Sequence, residues 1–193
     1  MKKTFDEILA ETVAALKAGK VILYPTDTVW GIGCDATNAE AVARIYEIKK
    51  RPDSKSLVLL AANLDQVARY IRQIPDMAID LVEVNDAPMT IIYPGADANL
   101  LAPNVIAEDG TVGIRIPMME FCQKVCQKLG HPIVSTSANV SGEPAAKVYA
   151  EIVPEIRDAV DYIVEPSLEN GSTGKASQII KVGLDGEIKI IRQ

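Results

Sequence analysis

A single histidine, His131, and three cysteines, Cys34, Cys122 and Cys126, are few side chains for acid–base catalysis, covalent chemistry or metal binding in a chain of 193 residues. None is spaced as a triad, and there is no CxxC. Cys122 and Cys126 are placed to pack on one face of a helix, which argues against zinc, and the odd count argues against a disulfide framework. A reducing, cytoplasmic setting follows as the simpler expectation. His131 precedes Pro132 and reads as a turn residue, not a base. Aromatic residues make up only 5%, so the core has to be aliphatic. Cations are also short, with 20 Lys and Arg against 26 Asp and Glu, a net charge of −6. Such a balance excludes a protein that coats nucleic acid non-specifically, although it permits a local basic cleft. No apolar run approaches the roughly 20 residues of a membrane span. After Met1-Lys2-Lys3, Asp6, Glu7 and Glu11 interrupt what a signal peptide would need to keep apolar.

What remains is 48% hydrophobic and 24% charged, ample for one packed domain over 1–193. Thr4-Phe5-Asp6-Glu7 has the form of a capping box, and Phe5, Ile8, Leu9, Val13 and Leu16 recur at helical spacing up to Gly19. Further helices are predicted from Asn38 to Arg51-Pro52, from Asn63 onward, over Glu120–Leu129, and around Val148, Ile152 and Ile156, with Pro154 shortening or kinking the last. Strands are predicted over Val21–Tyr24, Leu57–Ala62, Met89–Tyr93, Val112–Ile116, Pro132–Ser135, Ser177–Val182 and Glu187–Arg192, the final pair joined by a hairpin at Leu184-Asp185-Gly186. Residues 95–110 read as a long surface loop. Short strands interleaved with helices and a terminal hairpin give an α/β (α+β) fold with a twisted, mixed sheet flanked by helices.

Three segments carry chemistry. Thr26-Asp27-Thr28 follows a strand and precedes Gly31-Ile32-Gly33, where a turn rich in self-bonding side chains is the plain alternative. Lys49, Lys50, Arg51 and Lys55 cluster at a helix end and in the proline turn after it. There, a guanidinium fork and a point charge can be aimed at one polyphosphate. Ser135-Thr136-Ser137-Ala138-Asn139-Val140-Ser141-Gly142 ends a strand in hydroxyls and small residues, which let a ligand approach backbone amides. Gly171-Ser172-Thr173-Gly174-Lys175 mimics a P-loop, but its first glycine is too close to the Gly-Lys pair and a strand follows it, not a helix, so it is rejected.

Together, Tyr24-Pro25-Thr26-Asp27-Thr28-Val29-Trp30-Gly31-Ile32-Gly33, Lys49-Lys50-Arg51-Pro52, Val112-Gly113-Ile114-Arg115-Ile116-Pro117 and Ser135–Gly142 resemble the threonylcarbamoyl-AMP synthase family, with its YrdC-like fold, from about Lys20 to the last strand. The resemblance is to the short, single-domain type. It implies a concave, positively charged cleft and a nucleotidyltransferase that makes threonylcarbamoyl-AMP and pyrophosphate from L-threonine, bicarbonate and ATP with Mg2+, with no metal bound by the protein itself. It also implies separate transfer proteins that pass the group to tRNA. By that resemblance Lys49, Arg51 and Lys55 stabilise charge. Arg51, Lys55, Thr111, Ser135, Asn139 and Arg192 lie on the ATP side, with Asn139 bracing its loop. Thr28, Arg115, Ser137 and Ser177 lie on the threonine side, with Arg115 pairing the carboxylate. Leu60 stands where many relatives carry a histidine. Asn85-Asp86-Ala87-Pro88 and Ser177-Gln178-Ile179-Ile180-Lys181 also depart from the family pattern. A non-catalytic double-stranded RNA or tRNA-binding module using the same cleft is the main alternative, and a carbamoyltransferase is a third.

Overall fold

Thr4 opens the first helix as its capping box predicts. Its hydroxyl accepts the Glu7 amide at 3.3 Å while the Glu7 carboxylate accepts the Thr4 amide at 2.7 Å, so α1 (Phe5–Lys17) starts with its exposed donors satisfied. The computed structural model describes residues 2–52 and 56–193, so Lys55 lies outside the described residues. After α1 come β1 (Ile22–Tyr24), β2 (Gly31–Gly33), α2 (Ala39–Lys49), β3 (Val58–Leu60), α3 (Leu64–Tyr70), α4 (Asp76–Val84), β4 (Met89–Tyr93), β5 (Val112–Arg115), α5 (Glu120–Leu129), β6 (Ile133–Ser137), α6 (Pro154–Ala159), β7 (Tyr162–Ile163), β8 (Gln178–Val182) and β9 (Ile188–Arg192).

Local chemistry explains the helix ends. Asn38 caps α2 by accepting the Ala41 amide at 3.0 Å. The helix stops at Lys50, which takes a left-handed conformation (φ 50°) ahead of Pro52. Gly130, at φ 80°, ends α5. Pro154 does not kink a helix. It occupies the first turn of α6, where its missing N–H costs nothing. A separate 3₁₀ turn at Tyr149–Glu151 precedes it. Three elements, β2, α4 and β7, lie outside the expectations from sequence.

The sheet has nine strands in the order β7-β1-β2-β6-β3-β5-β4-β8-β9. Pairs β1–β7, β3–β5 and β4–β8 are parallel and the rest antiparallel, so the expected mixed sheet is present. Alternation along each strand divides two environments. Leu57, Leu59, Ile91, Val112, Ile114 and Val134 pack with Val42 and Ile45 of α2 and Val67 of α3 in the main core. Leu60, Ile133, Ile22 and Tyr24 pack with α1 and α5 in a second cluster, where Phe5 and Phe121 meet edge to face at 5.9 Å. The register aligns Ser135, Val58, Gly113, Ile92, Lys181 and Lys189 across six strands. All six line the hollows described below. Among the described residues no helix is long and apolar enough to cross a membrane.

Candidate active site

Two hollows share Ser56, Leu57, Val58 and Ile179 and so form one continuous depression. The smaller, of about 240 Å³, is lined by the hydroxyl residues Thr28, Ser56, Ser135, Thr136, Ser137 and Ser177 and by three arginines, Arg51, Arg115 and Arg192. The larger, of about 700 Å³, has an apolar floor of Val58, Ile92, Val112, Ile179 and Ile191, with Thr90, Thr111, Asp109, Lys181 and Lys189 around it. Its middle is low because Gly113 carries no side chain. A Cβ there would sit 3.4 Å from Thr90 and 3.7 Å from Val58, so the glycine keeps space open without being required by the backbone.

The threonine bend is rigid. Thr28 Oγ1 lies 2.9 Å from Thr26 Oγ1, and Thr26 also donates to the Val29 carbonyl at 2.7 Å. Residues 172–174 strap this bend down: Thr173 and Gly174 donate their amides to the Asp27 and Thr28 carbonyls at 3.0 and 2.9 Å, and Ser172 Oγ donates to Thr28 O. Those two amides are therefore spent within the protein, in keeping with the rejection of a P-loop there. Trp30, fully buried, donates its indole N–H to Glu169, whose carboxylate also accepts the Tyr149 amide at 2.6 Å.

Opposite the bend, Arg115 closes β5. Its Nη1 donates to both carboxylate oxygens of Asp27, at 2.6 and 2.8 Å, and the Met118 amide donates to Asp27 at 3.1 Å. The side chains of this pair are 3% and 8% exposed. Among the described residues, Nη2 and Nε of Arg115 have no hydrogen-bond acceptor, yet the side chain borders the smaller hollow. Ser177 Oγ is 2.7 Å from the Oγ1 of buried Thr90, and Arg192 donates through Nε and Nη2 to the Ser177 carbonyl at 2.9 and 2.7 Å. Arg51 Nη2 donates to Ser56 O at 2.8 Å, and burial lowers the guanidinium pKa. Thr111 borders the larger hollow and is held by Asp109, 2.6 Å from its hydroxyl. A hydrogen bond from Lys181, aided by Thr111, pulls the Asp109 carboxyl down to about 2.

The structure therefore brings together Thr28, Arg51, Arg115, Ser135, Ser137, Ser177 and Arg192, with Thr111 in the adjoining hollow. Two of the expected residues line neither hollow, and one of them, Asn139, braces its loop as expected. Lys49, expected to act as a charge-stabilising cation, is buried, and its ammonium donates to the Ser137 and Asn139 carbonyls, the latter at 2.7 Å, and to Asn139 Oδ1 at 3.4 Å. Lining neither of these hollows, it ties down the loop after β6. Asn139 lines neither hollow: its amide nitrogen donates to Val140 and Glu143 at 3.0 and 2.7 Å, bracing that loop. Lys50 turns away to pair with Glu155 at 2.7 Å. Leu60 is wholly buried against α5, outside the hollow. The sequence places Asp27 in a chemistry-bearing turn but gives it no role, because only the fold reveals its partner on a distant strand.

Known proteins resemble this chain in sequence and in fold. A family model described as Sua5_yciO_yrdC, telomere recombination, matches residues 14–193. A threonylcarbamoyl-AMP synthase of Vibrio campbellii is 34% identical over 190 residues, covering 94% of this chain and 100% of that protein. The fold matches P. abyssi Sua5 complexed with L-threonine at TM-score 0.83 and 24% identity, over 94% of this chain and 52% of that one. It also matches E. coli YciO at TM-score 0.83 and 24% identity, over 100% of this chain and 91% of that one. The Vibrio relative bears the name of an enzyme, which favours catalysis over the RNA-binding module. The chain belongs to the threonylcarbamoyl-AMP synthase family, within the YrdC-like fold.

Proposed function

We propose that the two hollows hold L-threonine and ATP side by side, threonine in the smaller and the nucleoside in the larger, and that the protein joins them through bicarbonate as a nucleotidyltransferase. One observation carries this assignment: Arg115 is buried with N–H donors to spare beside a hollow lined by neutral hydroxyls. Donors that the protein leaves unpaired beside a hollow call for acceptors on a ligand. A carboxylate suits a guanidinium edge, and alcohols suit the remainder of a small polar amino acid. The P. abyssi protein of the same fold was solved with L-threonine, which supports this choice.

The neutral threonine amine attacks the carbon of bicarbonate. A C–N bond forms, and the amine proton leaves with hydroxide as water, giving a carbamate. A carbamate oxygen then attacks the α-phosphorus of ATP, and the bond to the β-phosphate oxygen breaks to release pyrophosphate. No protein nucleophile is needed, only positioning and stabilisation of the charge that gathers on phosphate oxygens. Arg51 and Arg192 border the smaller hollow and supply that charge, joined by Lys55. Thr111 and Ser135 hold the nucleotide, and Thr28, Ser137 and Ser177 the amino acid. Magnesium arrives on the ATP phosphates, as is usual for that ion. In the cytoplasm, separate proteins then transfer the threonylcarbamoyl group to tRNA.

Mass spectrometry of a reaction containing the protein, ATP, magnesium, L-threonine and 13C-bicarbonate tests this. Labelled threonylcarbamoyl-AMP is the expected product. Label transfer only from 13C-carbamoyl phosphate, supplied in place of bicarbonate and ATP, would assign the chain to carbamoyl transfer instead.

A further inference from the structure

We propose that Asp27 is a positioning residue for amino-acid binding, holding Arg115 by a single nitrogen so that its other donors face the smaller hollow. This rests on the assignment of that hollow to the threonine carboxylate.

Asp27 lines neither hollow and touches substrate nowhere in the assignment above. It lies behind Arg115, with both carboxylate oxygens on Nη1 and one of them also accepting the Met118 amide. The Asp27 carbonyl is fixed in turn by Thr173 N at 3.0 Å. The carboxylate is therefore anchored from two directions, by the strap and by the turn after β5, and it passes that rigidity to the guanidinium. A two-oxygen grip on one nitrogen leaves the opposite edge of the fork unspent, and that edge fits a second carboxylate.

Charge favours the same role. An arginine only 3% exposed needs a counter-ion, since a buried pair that loses one partner leaves the other charge uncompensated. Swinging the guanidinium into the open hollow returns it to solvent and avoids that penalty. Without the Asp27 charge, Arg115 leaves its place and enters the space that threonine needs. Asp27 thus keeps the hollow open and the donors aimed before any ligand arrives.

The test is steady-state pyrophosphate release, with threonine and ATP varied separately, for Asp27→Asn, Asp27→Ala, Arg115→Met and the double variant Asp27→Asn/Arg115→Met. Asp27→Asn is expected to raise the threonine KM about tenfold or more, the cost of un-fixing one guanidinium, with the ATP KM within about twofold. Arg115→Met is expected to raise the threonine KM at least as much, and the double variant is expected to be no worse than Arg115→Met, because Asp27 acts only through Arg115. If Asp27→Asn adds its full effect on top of Arg115→Met, or raises both KM values alike, the positioning role is wrong. It is equally wrong if both Asp27 variants lose cooperative thermal unfolding, since the carboxylate then serves the fold. An unchanged threonine KM in Arg115→Met removes the threonine assignment itself; a raised one there, with none in Asp27→Asn, removes only the role of Asp27.

Discussion

The ammonium of Lys49, in the last turn of α2, lies 2.7 Å from the carbonyl oxygen of Asn139, on the loop that follows β6. A cation that the family resemblance assigns to charge stabilisation ties two site-forming segments together. Its neighbour two residues on, Arg51, does reach the hollow.

Lys49→Met should loosen that loop by leaving carbonyl oxygens without a donor, at about 1–3 kcal/mol for each buried group. Burial, with a smaller push from Arg51, lowers the Lys49 ammonium to about 8, against an ordinary 10.5. Between those values the unfolded chain holds the proton and the folded chain has released it, so this residue makes the protein more stable as pH rises through the window. Below it both states are charged and the contribution is flat. Buried cysteines and tyrosines, pushed up by burial, lower stability over the same window in both proteins, so the urea midpoint of the wild type should gain on that of Lys49→Met between about pH 8 and pH 10.

Arg51→Ala removes a preorganised donor from the smaller hollow. Loss of one such group costs about 2.7–4 kcal/mol in the transition state, so threonine- and bicarbonate-dependent pyrophosphate release should slow by roughly a hundredfold or more. Turnover near that of the wild type would take Arg51 out of the mechanism.

Gly113→Leu tests the larger hollow. The Cβ meets only ordinary contacts with Thr90, Val58 and Ile92, and a strand gains from losing a glycine by roughly 0.5–1 kcal/mol. Thermal stability should hold or rise while the added side chain fills the floor. The KM for ATP should increase about tenfold or more and that for threonine stay within about twofold. Equal increases in both would argue against the division of the two hollows.

Gly33→Ala is the opposite case. Its Cβ would stand 2.4 Å from the Val134 carbonyl oxygen and 2.6 Å from the buried Tyr24 ring. Neither can retreat, because Tyr24 is itself fixed by its hydroxyl donating to Val134 O at 3.0 Å. Overpacking of this kind costs about 1–3 kcal/mol, occasionally more, and should appear in the urea midpoint.

The strand Met89–Tyr93 and the helix Glu120–Leu129 agree with their sequence patterns to the residue, because each is a run of its proper period bounded by stop signals. The strand β2 is invisible in the sequence because two of its three residues are glycines, which have low strand propensity. Tertiary packing against Tyr24 selects them instead. The helix α4 follows Pro75 with no side-chain cap, so nothing local announces its start. Ser135 and Ser137 are legible as hydroxyls on a strand, and Thr28 as one in the turn after a strand. The Asp27–Arg115 pair is not, since a contact between residues so far apart in sequence leaves no periodic trace.

Arg192, which grips the Ser177 carbonyl, belongs to β9, the outermost strand, held by β8 alone and exposed at every position. Edge elements with few buried contacts open at far lower free energy than the centre of a sheet. Fraying of this one ribbon uncouples a guanidinium from the reaction chamber while the core stays intact, so the amide protons of 188–192 should exchange fastest when the enzyme is empty and slow down once both substrates are seated.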